Sequence, residues 1–322
     1  MINLIYNEWI KLVRKKRFYV VGLIVILFIG MFAYAQLVQE RNAEERFGAD
    51  AAWEEQLEEE IGSLESRLED AEIPEGFAEN FAVQIEQQRV YLEEGVNPNE
   101  TGAAMFLRMF LDNSGDLFIP LLVVVVTADL VSSERSSGTI KMLLTRPVKR
   151  WRILLSKYLT MVLSVSLIVL FISFVSVVIA GSLFGFGGWT QPIITDFSLS
   201  SAEVTMIPHW QYILTAAGLT WFAAVAVGSL TFLLSVLLKG TAAVMGFMLA
   251  ALISGTILSV FVSNWETAKY LFMVNLNLTN YLSGQPPPVE GMTLLFSIGV
   301  LFVWGALATL LAFRRFQTMD ML

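Results

Sequence analysis

The chain has 322 residues, 55% of them apolar and 16% charged, with a formal net charge of −8 and no cysteine. This composition excludes an ordinary soluble domain, because several apolar runs approach the ~20 residues that cross a bilayer. It also excludes disulfide bracing and thiol chemistry, and it leaves an all-α, polytopic membrane protein as the expected fold class.

Residues 1–17 come first. Ile2, Ile5, Tyr6, Trp9, Leu12 and Val13 recur at helical spacing, with Asn3, Asn7, Glu8, Lys11 and Arg14 on the other face. The pattern predicts an interfacial helix with Trp9 at headgroup depth and Lys11 and Arg14 toward anionic lipid. It reads either as an anchor or as an elbow helix that also touches a cytoplasmic partner. Six spans are expected, at 18–38, 115–131, 158–183, 211–238, 241–262 and 292–313. Ala33-Tyr34-Ala35 resembles a signal-peptidase site, but the apolar run before it is longer than a usual leader core, and the first span is expected to stay.

Orientation follows from the cations. With the N-terminus inside, 15 of the 21 Lys and Arg residues fall on the inner side, which the positive-inside bias favours. The expected topology is therefore N-in and C-in, with a tail at 314–322, in the cytoplasmic membrane of a bacterium. Charge here reports topology, and no nucleic-acid partner is expected; membrane lipid is.

The segment 39–114 reads as an extracytoplasmic module. Between residues 40 and 100 it holds 19 acidic residues against four arginines. Trp53, Leu57, Ile61, Leu64 and Leu68 form one helical stripe, and Phe77, Phe81, Ile85 and Leu92 form a second after the turn at Ile73-Pro74-Glu75-Gly76. Two such stripes predict an antiparallel helical hairpin. Its charge reads as a solvated face, or as a gate for a cationic ligand.

Arg108, Asp112 and Asp116 lead into the second span at four-residue intervals, so they are expected to share a helix face and pair. They are placed either at the outer mouth of a pathway or at a salt-bridged helix start in water. Asp129 lies near the other end of that span. The remaining spans carry no ionisable residue, which argues against proton or ion coupling.

The inner loop 132–157 carries seven cations, Arg135, Lys141, Arg146, Lys149, Arg150, Arg152 and Lys157. Ser136 or Ser137 is expected to cap a short helix starting near Gly138, and Pro147 to stop it. Ile140, Leu143 and Leu144 would form an apolar knob that needs a pocket in lipid or in a partner. Further on, Lys239-Gly240 predicts a tight turn between spans four and five. Outer loops follow at 184–210 and 263–291. The first contains the lone His209, which reads as structural, and the second contains YLFMVNLNLTNYLSGQPPP, too broken to span and expected to pack against protein.

No phosphate-binding loop, metal-ligand cluster or nucleophile arrangement is present in the sequence, so no catalytic residue, metal site or bound cofactor is expected. Energy for any work would come from another subunit. The loop residues Glu134, Arg135, Gly138, Thr139, Leu143, Leu144, Pro147, Arg150 and Lys157 resemble the E-R-x-x-G-T, two-leucine, proline and basic pattern of permease subunits of type-2 ATP-binding-cassette exporters. The N-terminal helix, the six spans, the large insertion after span one and NLNLTNYL before the last span extend the resemblance. It implies that the loop is a coupling helix docking on a separate ATPase, which binds ATP and Mg, with a second permease copy or paralogue completing the unit. It also implies that Glu134, Arg135, Gly138, Thr139, Ile140, Leu143, Leu144 and Pro147 meet that partner. The expected function is ATP-driven export of a hydrophobic or amphipathic peptide, antibiotic or lipid. The alternatives are a sensor signalling through the hairpin and an ion-coupled transporter.

Overall fold

The computed structural model describes residues 1–47, 53–69, 75–98, 100–139, 148–195, 205–261 and 265–318. In chain order the elements are α1 (Ile2–Arg14), α2 (Arg17–Phe47), α3 (Trp53–Leu68), α4 (Glu75–Glu93), α5 (Ala103–Ser114), α6 (Phe118–Thr127), α7 (Asp129–Ser136), α8 (Arg150–Phe184), β1 (Pro192–Thr195), β2 (Thr205–Pro208), α9 (His209–Leu237), α10 (Thr241–Phe261) and α11 (Leu294–Thr318). Three 3-10 turns, Glu266–Tyr270, Phe272–Asn275 and Leu278–Tyr281, lie between α10 and α11.

The fold is mostly helical. Five helices are long and apolar enough to cross a bilayer, and α5 with α6–α7 forms a pair bent by 67° that makes a sixth if counted as one span. The apolar surface left outside agrees: Leu27 and Met31 on α2, Phe174 on α8, and Phe302 and Leu310 on α11 are all more than half exposed. Such faces suit hydrocarbon and not water. The 31 residues of α2 make a rod of about 46 Å, longer than the ~30 Å hydrocarbon core, so the helix runs beyond residue 38 toward the hairpin.

Helix α9 is the central post and contacts α5, α6, α8 and α11. Its sequence explains this, because Ala216, Ala223, Ala224 and Gly228 are small and buried and let neighbouring backbones approach closely. A methyl placed on Gly228 would stand 2.7 Å from Met161 Sδ on α8, so the thioether would have to shift to admit it.

Three segments differ from the sequence reading. The first is α5, assigned above to the external segment 39–114, which packs in the main core. Phe106, Phe110 and Leu111 are almost wholly buried there, against Phe28 and Phe32 of α2. Arg108 and Asp112 obscure this run in the sequence, yet they share the helix with an apolar face. The second is the loop 184–210, which contains a two-stranded antiparallel arm pairing Pro192 with Pro208 through Thr195 with Thr205. Strands of four residues are too short to leave a periodic signal. The third is α8, which begins at Arg150, so residues 150–157 of the expected loop are helical.

Helices α3 and α4 pack through Ile61, Leu64 and Ile85, with Phe81 and Leu92 alongside, as the two stripes predict. The turn residues 70–74 lie outside the described residues. Gln87 Nε2 donates to the Ser283 carbonyl (2.7 Å), and the Tyr91 hydroxyl accepts the Ile194 N–H (3.1 Å), which ties α4 to the two loops beside it.

Candidate functional site

At the end of the bundle that carries α1, called here the basal end, three chain segments meet through charge. Lys157, on the second turn of α8, is fully buried. Its ammonium donates to Glu8 Oε2 of α1 (2.6 Å) and to the Leu130 carbonyl of α7 (2.9 Å). It also lies 2.8 Å from Glu134 Oε2, close enough for an ion pair though off the line of a hydrogen bond. Lys11 completes the ring, at 2.7 Å from Glu8 Oε1 and 2.8 Å from Glu134 Oε1. Burial works against the Lys11 ammonium, but hydrogen bonds to Glu134 and Glu8 outweigh it and hold its pKa above the ordinary lysine value.

This ring of two acids and two bases explains how α1 sits. Glu8 was expected on the polar face and Ile2 on the apolar one, but Glu8 is 7% exposed while Ile2 is 81% exposed. A buried carboxylate needs partners, and the α8 lysine supplies one. Arg14 and Trp9 stand apart from the ring. Arg14 is exposed with no ion pair among the described residues, and Trp9 packs on Phe18 with ring centroids 5.2 Å apart.

A second clamp lies beside the first. Asp129, at the start of α7 and 1% exposed, takes Lys15 Nζ (2.8 Å) and Arg17 Nη2 (3.3 Å) on one carboxylate oxygen. Both cations come from the junction between α1 and α2. Asp129 is thus paired, through Oδ2, with two cations of the α1–α2 junction.

Helix α7 is also pinned to α9. Ser235 Oγ accepts the N–H groups of Val131 (3.0 Å) and Ser132 (2.9 Å), and Arg135 donates to the Val236 carbonyl. The basal loop therefore leaves α7 from a fixed base. Gly138 stands between two helical stretches: α7 ends at Ser136, and Thr139, the residue after the glycine, is helical again, in keeping with the expected helix start near Gly138. Ser137 stands at the C-cap of α7, its N–H bonded to the Ser133 carbonyl (3.1 Å), and Gly138 follows with φ +72°. Ser136 and Ser137 turn their hydroxyls back to the Ser133 carbonyl, 3.0 Å and 2.8 Å away. Glycine alone takes a left-handed conformation without strain. Gly138→Ala is expected to lower stability by about 1 kcal/mol, read as a lowered thermal midpoint, with Gly138→Asn milder because Asn visits that region more readily. Thr139 is exposed and shares a 2.9 Å hydrogen bond with Ser137. Ile140, Leu143, Leu144 and Pro147 lie outside the described residues.

At the opposite end, Arg108, Asp112 and Asp116 do not form the expected row. Helix α5 stops at Ser114, and the bend at 115–117 carries Asp116 off the face it would have shared. Asp112 instead accepts the Tyr212 hydroxyl on both carboxylate oxygens, each at 3.0 Å, and its backbone carbonyl accepts Asn277 Nδ2 (3.4 Å). Arg108 forms no salt bridge among the described residues, and its Nε is buried without a partner. Asn277 belongs to NLNLTNYL, whose Asn275 bonds the Lys269 and Leu271 carbonyls and is itself buried. That segment packs against α9, α10 and α11 as protein-buried 3-10 turns. His209 opens α9 and shares a 3.2 Å contact with the Gln191 carbonyl.

In the sequence Lys157 reads as one of seven loop cations and as the basic residue closing the loop motif, and nothing there pairs it with Glu8. One signal was available. Glu8 is the lone acid among the first 39 residues, inside a strongly basic stretch.

The apolar helices and the bent pair define a multi-helix membrane protein. A family model described as "Protein of unknown function (DUF2705)" matches residues 79–322, and the chain belongs to that family. It is 30% identical over 325 residues to "Uncharacterized protein YhcI" of Bacillus subtilis (strain 168), with 99% of each chain covered. It is 28% identical over 220 residues to "Uncharacterized membrane protein YdbK" of the same organism, covering 67% of this chain and 81% of that protein.

Proposed function

We propose that this protein is the membrane-spanning permease subunit of an ATP-driven exporter of the ATP-binding-cassette class. In this reading it has six spans with both termini in the cytoplasm of a bacterial plasma membrane. It moves a hydrophobic or amphipathic substrate with energy from a separate ATPase subunit, and a second permease copy or paralogue completes the assembly. The observation that carries the reading is the buried ring of Glu8, Lys11, Glu134 and Lys157. It fastens the last turn before the basal loop and the first turns after it to the same N-terminal helix. A push on such a loop reaches α1, α7 and α8 together, and not one strand of chain.

The test is co-expression with an ATPase carrying a phosphate-binding loop and encoded beside this gene. The reading predicts a complex that survives purification, with ATP hydrolysis that changes when the permease is present. An ATPase whose rate and mobility ignore this chain would sink the proposal.

A second reading, ion coupling, draws on one observation: the helix break at 115–117 lies beside Asp112. The Tyr212 hydroxyl occupies both Asp112 oxygens, which favours a positioning role for that carboxylate. Asp112→Asn is therefore expected to leave transport within about twofold, since the amide oxygen still accepts one such bond. Loss of transport together with loss of its pH dependence would revive the ion-coupled reading.

A further inference from the structure

A groove of about 310 Å³ opens between α1, α2 and α8. Its walls are apolar: Trp9 and Val13 from α1, Phe18 and Val25 from α2, Ile168 and Phe171 from α8. The Trp9 and Phe18 rings close its basal end. Gly22 keeps it open, since a methyl there would already touch Phe171 at 3.6 Å and a larger side chain would fill the space. On either side the exposed surface is hydrocarbon-like, with Leu23 and Leu27 on α2 and Leu170 and Phe174 on α8. The groove therefore opens toward lipid and not toward water.

Charge at its mouth narrows the occupant. Lys16 lies in the turn between Val13 and Phe18, two of the lining residues. It is exposed, and its backbone takes the left-handed region at φ +58°, uncommon for a residue with a β-carbon. Its neighbours Lys15 and Arg17 are both taken by Asp129. Lys16 and Arg14 have no ion pair among the described residues, and Arg14 rims the neighbouring cleft around α1. Two unpaired cations beside a narrow apolar groove at the depth of an interfacial tryptophan match one chemistry, a phosphate carrying an acyl chain. A second copy of this chain would need an acid beside an apolar ridge, whereas its acids concentrate in residues 40–100.

We infer that this groove binds one anionic phospholipid, with an acyl chain between α2 and α8 and the headgroup phosphate at Lys16 and Arg14. The site is independent of the transport reading. It would fasten the α1–α2 elbow to α8 with a lipid, next to the place where the charge ring does so with protein.

The experiment is native mass spectrometry of the full chain after exchange into mixed phosphatidylglycerol and phosphatidylcholine. One retained lipid is expected, with phosphatidylglycerol favoured about tenfold. Gly22→Leu should abolish retention, and Arg14→Ser with Lys16→Ser should erase the preference while leaving retention. A photoreactive acyl-chain phosphatidylglycerol should label the wild-type chain within 18–25 and 167–171. This readout needs no variant, so it stands if Gly22→Leu fails to fold. Equal retention of both lipids, labelling spread evenly over α11, or an intact lipid on a folded Gly22→Leu protein would each overturn the inference. So would a cysteine at the exposed Leu23 that joins two copies in place of lipid.

Discussion

Lys157→Met is expected to lower the stability of the purified protein by about 3–5 kcal/mol, because it removes the central cation of a buried ring and leaves two carboxylates facing Lys11 alone. For a chain of this size that corresponds to a fall in unfolding midpoint on the order of 10 °C. The side chain itself packs as well as before, so the cost is electrostatic. The double variant Glu8→Gln with Lys157→Met restores one acid to one base between Glu134 and Lys11. Its loss should be clearly smaller than the sum of the two single losses. Strict additivity in detergent-solubilised protein would mean that the four groups do not act as a unit. The ring also predicts a secondary effect. With Lys157 gone, α1 loses its main polar tie to α8, and protease access to residues 1–16 should rise before the rest of the chain unfolds.

The second large effect concerns the loop. Leu143→Asp with Leu144→Asp is expected to weaken docking on the ATPase subunit by on the order of 30-fold or more, the cost of burying charge at the centre of an apolar contact. The unfolding midpoint should move little, which separates this variant from Lys157→Met. The measurement is permease-dependent ATP hydrolysis beside a melting curve on the same preparation. Unchanged hydrolysis would exclude the two leucines from the contact.

The sequence made the long apolar helices legible because hydrocarbon demands uninterrupted apolar runs, and such runs are visible at single-residue resolution. The stripes of the α3–α4 hairpin were visible for the same kind of reason. Helix α5 was harder to place. Its buried Phe106, Phe110 and Leu111 share twelve residues with Arg108, Asp112 and Asn113, and local hydropathy cannot say that Tyr212 and Asn277 wait for Asp112. Gly138 shows the limit of local rules differently. A glycine after two serines reads as a helix start or a helix end, and here it is a break with a positive φ between the end of α7 and the helical Thr139.

The charge ring was the least legible feature, though each member is visible in the sequence. Glu8, Glu134 and Lys157 are separated by more than a hundred residues at one gap and by a loop at the other. Nothing local distinguishes Lys157 from the solvated cations before it, until α8 turns it inward and Glu8 arrives from α1. Burial of a lysine is a long-range property, set by which acids the fold delivers.

The chain has no native cysteine, so a single introduced thiol reports one position without background. The most direct measurement is therefore Ile140→Cys, joined by a short thiol-to-thiol cross-linker to cysteines introduced on the surface of the co-expressed ATPase, in membranes and with or without ATP. A permease–ATPase product that changes in yield with nucleotide is expected from Ile140→Cys, and none from Leu295→Cys at the far end of α11. Cross-linking from Leu295→Cys but not from Ile140→Cys, or no ATPase product from either in a complex that still hydrolyses ATP, would contradict the permease reading.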